Sequence, residues 1–258
     1  MNINLDLHQL SKKSTSTNHY RDFFMEILSH KQHYSFIYTD ASVMVNRVGM
    51  AIIHEDTQIQ WKLSNKCSIY TAEALAILKA IEFATHKVQA NQIIILSDSL
   101  STLYSIQNQW KPTDLARKIH NAHTIATLAG KKISYMWIPG RCNIEGNELA
   151  DKAAKQAHLA DNLFTSQDFT YQDVKRIITK DTHNQWENKL VEQTTKLHEI
   201  KRMAHLWPFP AKISRKQETA ITRLRIGHTH ITHQHLMKRE EPPDYTNFSD
   251  KFQLMKAV

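Results

Sequence analysis

The chain has few of the features that would tie it to a membrane or to an oxidising compartment. Its two cysteines, Cys67 and Cys142, are isolated and outside any CxxC pair. That excludes a disulfide framework and fits a reducing compartment. No apolar run is long and uncharged enough to cross a bilayer. The opening residues, Met1 to Leu7, lack the basic and apolar regions of a signal peptide. The expectation is an intracellular protein, nuclear or cytoplasmic, not secreted and with no membrane partner. Glycine and proline are also sparse, with 5 and 6 in 258 residues, and there is no internal repeat or long low-complexity tract. The length and a 41% hydrophobic content suffice for one full domain plus an additional segment.

Charge is unevenly spread. The formal net charge is +8, yet residues 1–170 hold 17 Lys and Arg against 15 Asp and Glu, while residues 171–258 hold 16 against 10. A basic last third suits contact with a polyanion such as nucleic acid. A solvated helical surface has the same composition, and charge alone does not separate the two.

Periodicity divides the chain into a polar lead-in over 1–31, a mixed α/β domain over 32–160 and a basic helical extension over 170–258. The lead-in reads as poorly ordered, with a short helix over Tyr20–Leu28. Ser35–Thr39 is apolar or aromatic on both faces, which predicts a central strand. Arg47–His54 and Gln58–Leu63 follow at hairpin spacing. Tyr70–Val88 changes to helical spacing through Ala72, Leu75, Ala76, Leu78, Ala80, Ile81 and Ala84. The run Ile93–Leu96 predicts a strand covered on both sides. Helices over Asp98–Ile106 and Pro112–Ala129, a strand over Lys132–Ile138 and a helix over Glu145–His158 complete the domain. Thr113 is a candidate N-cap, with Pro112 an alternative first-turn residue. Crossover connections make the fourth and fifth strands parallel to the first. In the extension, Val174–Ile200, Arg215–Arg225 and Thr232–Arg239 have helical spacing.

Four acids stand out: Asp40 after the first strand, Glu73 at the start of the long helix, Asp98 after the fourth strand and Asp151 on the last helix of the domain. Ends of neighbouring parallel strands lie about 5 Å apart. Carboxylates brought together repel unless a cation neutralises them, and an all-oxygen site suits Mg²⁺ or Mn²⁺. Taken singly, each has a plainer reading: a turn residue, a helix N-terminal charge, an N-cap and a solvated face.

The contexts taken together are more specific. Tyr38-Thr39-Asp40-Ala41-Ser42, Thr71-Ala72-Glu73-Ala74-Leu75, Leu96-Ser97-Asp98-Ser99 and Trp137-Ile138-Pro139-Gly140-Arg141-Cys142-Asn143-Ile144-Glu145-Gly146-Asn147-Glu148-Leu149-Ala150-Asp151 resemble type 1 ribonuclease H, in the form carried by non-LTR, jockey-like retrotransposon polyproteins. The resemblance implies a ribonuclease H-like five-stranded sheet of order 3-2-1-4-5. It also implies hydrolysis of the RNA strand of an RNA–DNA hybrid, with two Mg²⁺ or Mn²⁺ ions held by Asp40, Glu73, Asp98 and Asp151. Substrate contacts are implied for Ala41, Ser42, Ser99, Arg141 and Asn147, with backbone groups near Ala41, Ser42 and Glu73 reading the ribose 2′-hydroxyls. A transposase or integrase of related architecture has a final Glu and no acid on the first long helix; Glu73 and Asp151 speak against it.

The tail extends the resemblance. Arg223-Leu224-Arg225-Ile226-Gly227-His228-Thr229 and Arg239-Glu240-Glu241-Pro242-Pro243 are similar to the segment that follows the domain in those elements. There a CxxC follows the proline pair. Tyr245 and Phe248 stand at those positions, so no zinc site of that kind is expected. No Tyr-x-Asp-Asp or Ala-Asp-Asp run marks a polymerase, so the resemblance implies a fragment of an element or a host gene derived from one. Two departures fall within the domain. Ala41 replaces the usual Gly, at a cost only if φ is positive. Arg141 replaces a mobile-loop His and cannot shuttle a proton near neutral pH, which implies slowed turnover. The alternative function is a decayed or domesticated, non-catalytic nucleic-acid-binding module. Of the remaining features, the cluster His228 to His235 reads as structural or surface histidines with zinc binding as the alternative, Trp110 as a core or hinge residue with stacking on a base or sugar as the alternative, and Lys131, Lys132, Lys152 and Lys155 as solvated lysines with phosphate contact as the alternative.

Overall fold

The structure is a computed structural model that describes residues 1–10, 15–157, 159, 165–166, 169–193, 203–204, 213–225 and 238–240. Among these, the strands are β1 (Asn2–Asn4), β2 (Ser35–Met44), β3 (Arg47–His54), β4 (Thr57–Leu63), β5 (Gln92–Ser97), β6 (Lys132–Trp137) and β7 (Thr165–Ser166). The helices are α1 (Thr17–Ser29), α2 (Ile69–His86), α3 (Leu100–Gln107), α4 (Asp114–Leu128), α5 (Glu145–Gln156), α6 (Tyr171–Glu192) and α7 (Arg215–Arg225). No helix among the described residues is long and apolar enough to cross a membrane.

One mixed sheet has the order β1-β6-β5-β2-β3-β4-β7. Its inner five strands reproduce the expected order 3-2-1-4-5. β2 pairs antiparallel with β3 and parallel with β5, and β5 pairs parallel with β6. Two short segments add a strand at each edge of these five, making seven. β1 lies parallel to β6, and the two-residue β7 lies parallel to β4. The lead-in is therefore not the poorly ordered segment its polarity suggested. Besides β1 it buries Leu7, Tyr20 and Phe24, and the Tyr20 hydroxyl donates to the Leu10 carbonyl at 2.8 Å.

The sheet core follows from side-chain alternation. On β3, Val48, Met50 and Ile52 join the main core, while Ala51 and Ile53 pack with Ala150, Ala153 and Ala154 of α5. This period of two places α5 on the opposite face from α2. Ile93, Ile94, Ile95 and Leu96 of β5 are all buried, as a strand covered on both faces requires. α2 starts at a proper N-cap, with Ser68 Oγ accepting from the Thr71 amide at 3.2 Å. Thr113 caps α4 by accepting from the Ala116 amide at 3.2 Å, which leaves Pro112 outside the helix.

One compact unit takes in Met1–Ile178 and a second Thr179–Val258. In the second unit, Glu187 accepts from the Ala204 amide at 2.7 Å and lies 3.5 Å from His183. The helix expected over Val174–Ile200 is described as Tyr171–Glu192, and Arg215–Arg225 is helical as expected. The histidine cluster, most of the Thr232–Arg239 segment, and Tyr245 and Phe248 lie outside the described residues.

Candidate active site

Asp40 does not end its strand. β2 continues to Met44 beside β3, but its parallel pairing with β5 stops at Thr39 opposite Ser97. Asp40 and Asp98 are the residues that follow those two partners, so both emerge at the same point of the sheet. Thr39 Oγ1 donates to the Leu96 carbonyl at 3.0 Å, which ties the two strands together just before the acids. The Asp98 backbone is pinned further, because its carbonyl accepts from Trp137 Nε1 and from the Leu100 amide, each at 3.0 Å. Glu73 comes from the second turn of α2, on the face packed against β2 and β3.

One carboxylate oxygen from each of Asp40, Glu73 and Asp98 lies within 4.8 Å of the other two. Asp40 and Glu73 are each only 5% exposed, and Asp98 is half-buried. Burial and the neighbouring Asp98 charge push the Asp40 carboxyl up to about 8; the Ala41 amide and Lys155 pull against this, and Asp151 adds to it. Burial, then Asp40 and Asp98, hold the Glu73 carboxyl well above the usual range. Glu73 Oε2 is buried with no hydrogen-bond partner. An orphaned acceptor facing two like charges is costly alone, yet it is a good ligand for a hard divalent cation. The donor set therefore fits such an ion.

Asp151 is on the same side of the molecule, since its charge acts on Asp40, but it stands outside the tight group of three. Lys155, one turn along α5, donates to Asp151 Oδ2 at 2.5 Å. The (i, i+4) spacing of Asp151 and Lys155 carried that pairing in plain view. Lys155 is exposed, as expected of a solvated lysine, and also pairs with Asp151. Lys131 likewise donates to the Val88 and Ala90 carbonyls, at 2.6 and 3.1 Å.

The remaining candidates occupy varied settings. Ala41 is buried within β2 and has no positive φ, so the replacement of Gly costs no backbone strain. Ser42 is half-buried. Ser99 is half-buried and shares a 2.8 Å hydroxyl contact with Thr102. Asn147 is only 3% exposed, and its Oδ1 has no hydrogen-bond partner. Arg141 is exposed on the loop between β6 and α5, in the left-handed region with φ 62°. Trp110 is 96% exposed, which overturns the core reading. It sits in the turn between α3 and α4, where Asn108 Oδ1 accepts its amide at 3.2 Å.

Two glycines were not singled out by spacing. A Cβ on Gly140 would meet Asp98 Oδ2, and one on Gly146 would meet the Tyr38 ring. Both permit close approach by elements that carry or touch an acid, and a motif without coordinates does not reveal that role.

A protein-family model described as RNase H matches residues 32–159. No curated protein matches the chain. Among solved structures, the chain is similar to RNase H1 from the halophilic archaeon Halobacterium salinarum NRC-1, at 22% identity, covering 48% of this chain and 96% of that one with a TM-score of 0.38. It is also similar to LC11-RNase H1 in complex with RNA/DNA hybrid, at 20% identity, covering 49% and 99% with a TM-score of 0.38. The family match takes in just under half of the chain and encloses Asp40, Glu73, Asp98 and Asp151, so residues 32–159 form an RNase H domain.

Proposed function

We propose that the chain is a divalent-metal-dependent endonuclease that hydrolyses the RNA strand of RNA–DNA hybrids and derives from a retrotransposon. The observation that carries this reading is the gathering of Asp40, Glu73 and Asp98 within 4.8 Å inside the matched domain. Asp40, Glu73, Asp98 and Asp151 would hold two Mg²⁺ or Mn²⁺ ions. Two bound ions supply an activated water and charge stabilisation at the leaving 3′ oxygen. Asp40 and Glu73 must shed their protons to hold an ion; burial and the neighbouring carboxylates raise both carboxyls, so ion binding strengthens as pH rises. Ser42, Ser99 and the backbone near Ala41 face the RNA strand, and Arg141 contributes phosphate contact without proton transfer.

A second reading, a nucleic-acid-binding module without turnover, draws on one observation: Asp151 stands outside the group of three and is paired with Lys155. The full chain incubated with labelled hybrid in Mg²⁺ or Mn²⁺ separates the readings. Cleavage that Asp40→Asn abolishes supports the nuclease. Hybrid binding by both proteins with no cut strand supports the module.

A further inference from the structure

Asp173 lies beyond the matched domain, yet at 1% exposure it is more deeply buried than any of the four acids. A carboxylate at that depth is tolerated only if its lone pairs are filled. Four donors fill them. Thr170 contributes its amide and its hydroxyl to Oδ2, at 2.9 and 2.8 Å. Thr71 Oγ1 donates to Oδ2 at 2.7 Å, and the Ser68 amide donates to Oδ1 at 2.8 Å. Burial alone would raise this carboxyl, but the hydrogen bonds from Thr170, Thr71 and Ser68 outweigh it and hold the carboxyl below its ordinary value. Thr170 and Asp173 also cap α6 reciprocally, the Asp173 amide donating to Thr170 Oγ1 at 3.2 Å. One carboxylate therefore closes the N-termini of α6 and α2 together, where a negative charge is favoured. Arg176 adds a second link, Nη2 to the Lys66 carbonyl at 3.0 Å.

The helix held in this way is the one that carries Glu73, two residues after Thr71. Glu73 faces the charges of Asp40 and Asp98, which push against it and hence against the start of α2. We propose that Asp173 is a positioning residue: by capping α2 from outside the family domain, it keeps Glu73 among the metal-binding acids against their mutual repulsion. The inference rests on the metal-site reading above.

The test uses the full chain and reads Mn²⁺ binding by calorimetry, together with kcat and KM on hybrid, well below the melting temperature. Asp173→Asn keeps the size but loses the charge. It is expected to weaken Mn²⁺ binding about tenfold, the usual effect of losing a residue that orients ligands, and to lower kcat while KM for hybrid stays unchanged. Thr71→Val should act in the same direction, and the double variant should be no worse than Asp173→Asn. Should Asp173→Asn fail to fold, Thr71→Val alone carries the comparison. Phe24→Leu, a buried change in α1, should lower stability and leave Mn²⁺ affinity unchanged. Asp173→Asn, or Thr71→Val in its place, binding Mn²⁺ as the unaltered chain does overturns the inference, as does an equal loss in Phe24→Leu. An unaltered chain that binds no Mn²⁺ overturns the metal-site reading and this inference with it.

Discussion

Gly140 lies so close to the Asp98 carboxylate that a Cβ at this position would stand 2.5 Å from Oδ2. The loop after β6 therefore forms one wall of the site. In Gly140→Ala the carboxylate must rotate away, because it is the mobile end of a short side chain. Stability should change by less than about 1 kcal/mol. Activity should fall on the order of 100-fold, since a displaced group at the reacting centre is costly. Melting curves and hybrid cleavage measured side by side check the contrast.

The second close approach should behave in the opposite way. A Cβ on Gly146 would sit 2.3 Å from the Tyr38 ring, which is part-buried against both cores. An aromatic ring cannot yield as a carboxylate does, so α5 must lift from the sheet. Gly146→Ala should lose about 1–3 kcal/mol, as overpacking does, and should carry Asp151 with it. Denaturant unfolding reads the first effect and cleavage rate the second.

The pH dependence has a definite sign. Asp40 titrates near 8 in the folded chain, and Glu73 is also raised, whereas unfolded carboxyls titrate near 4. Between those values the folded state holds more protons than the unfolded one. Stability of the metal-free protein should therefore fall as pH rises from about 4 to 8. Glu73→Gln removes one of the raised carboxyls, so its melting temperature should fall less between pH 6 and pH 8 than that of the unaltered chain, while cleavage is abolished. Mn²⁺ should stabilise the unaltered chain more at pH 8 than at pH 6, as calorimetric scans at the two values would read.

Arg141 sits on an exposed loop, so replacing it should leave stability within about 0.5 kcal/mol. Arg141→His restores a group able to carry a proton, and single-turnover cleavage should rise by about tenfold or more. An unchanged rate would remove proton transfer from the account of this loop.

Much of this arrangement was legible before any coordinates. The Ile93–Leu96 run and the period change at the start of α2 mark a covered strand and a helix, and the four acidic contexts mark the site. What stayed hidden was long-range. Asn2 to Asn4 have no apolar signature, because an edge strand is recognised by the neighbour it pairs with, here β6. Leu7, Tyr20 and Phe24 are too widely spaced to announce a buried face, yet they cover the core. Trp110 looks like core by composition, and only its turn reveals an uncovered ring. Asp173 resembles any first-turn acid of a polar helix; its second role depends on Ser68 and Thr71, about a hundred residues earlier.

The central claim is that the gathered carboxylates act through a bound divalent ion on the RNA of a hybrid. Its most direct measurement is product analysis after the full chain meets a hybrid labelled on each strand, with Mg²⁺, with Mn²⁺ and with chelator. The account predicts that only the RNA strand is cut, only with metal, leaving 5′-phosphate and 3′-hydroxyl ends, and that Asp40→Asn leaves it whole. Cutting that persists in chelator, or that Asp40→Asn performs equally well, would contradict it.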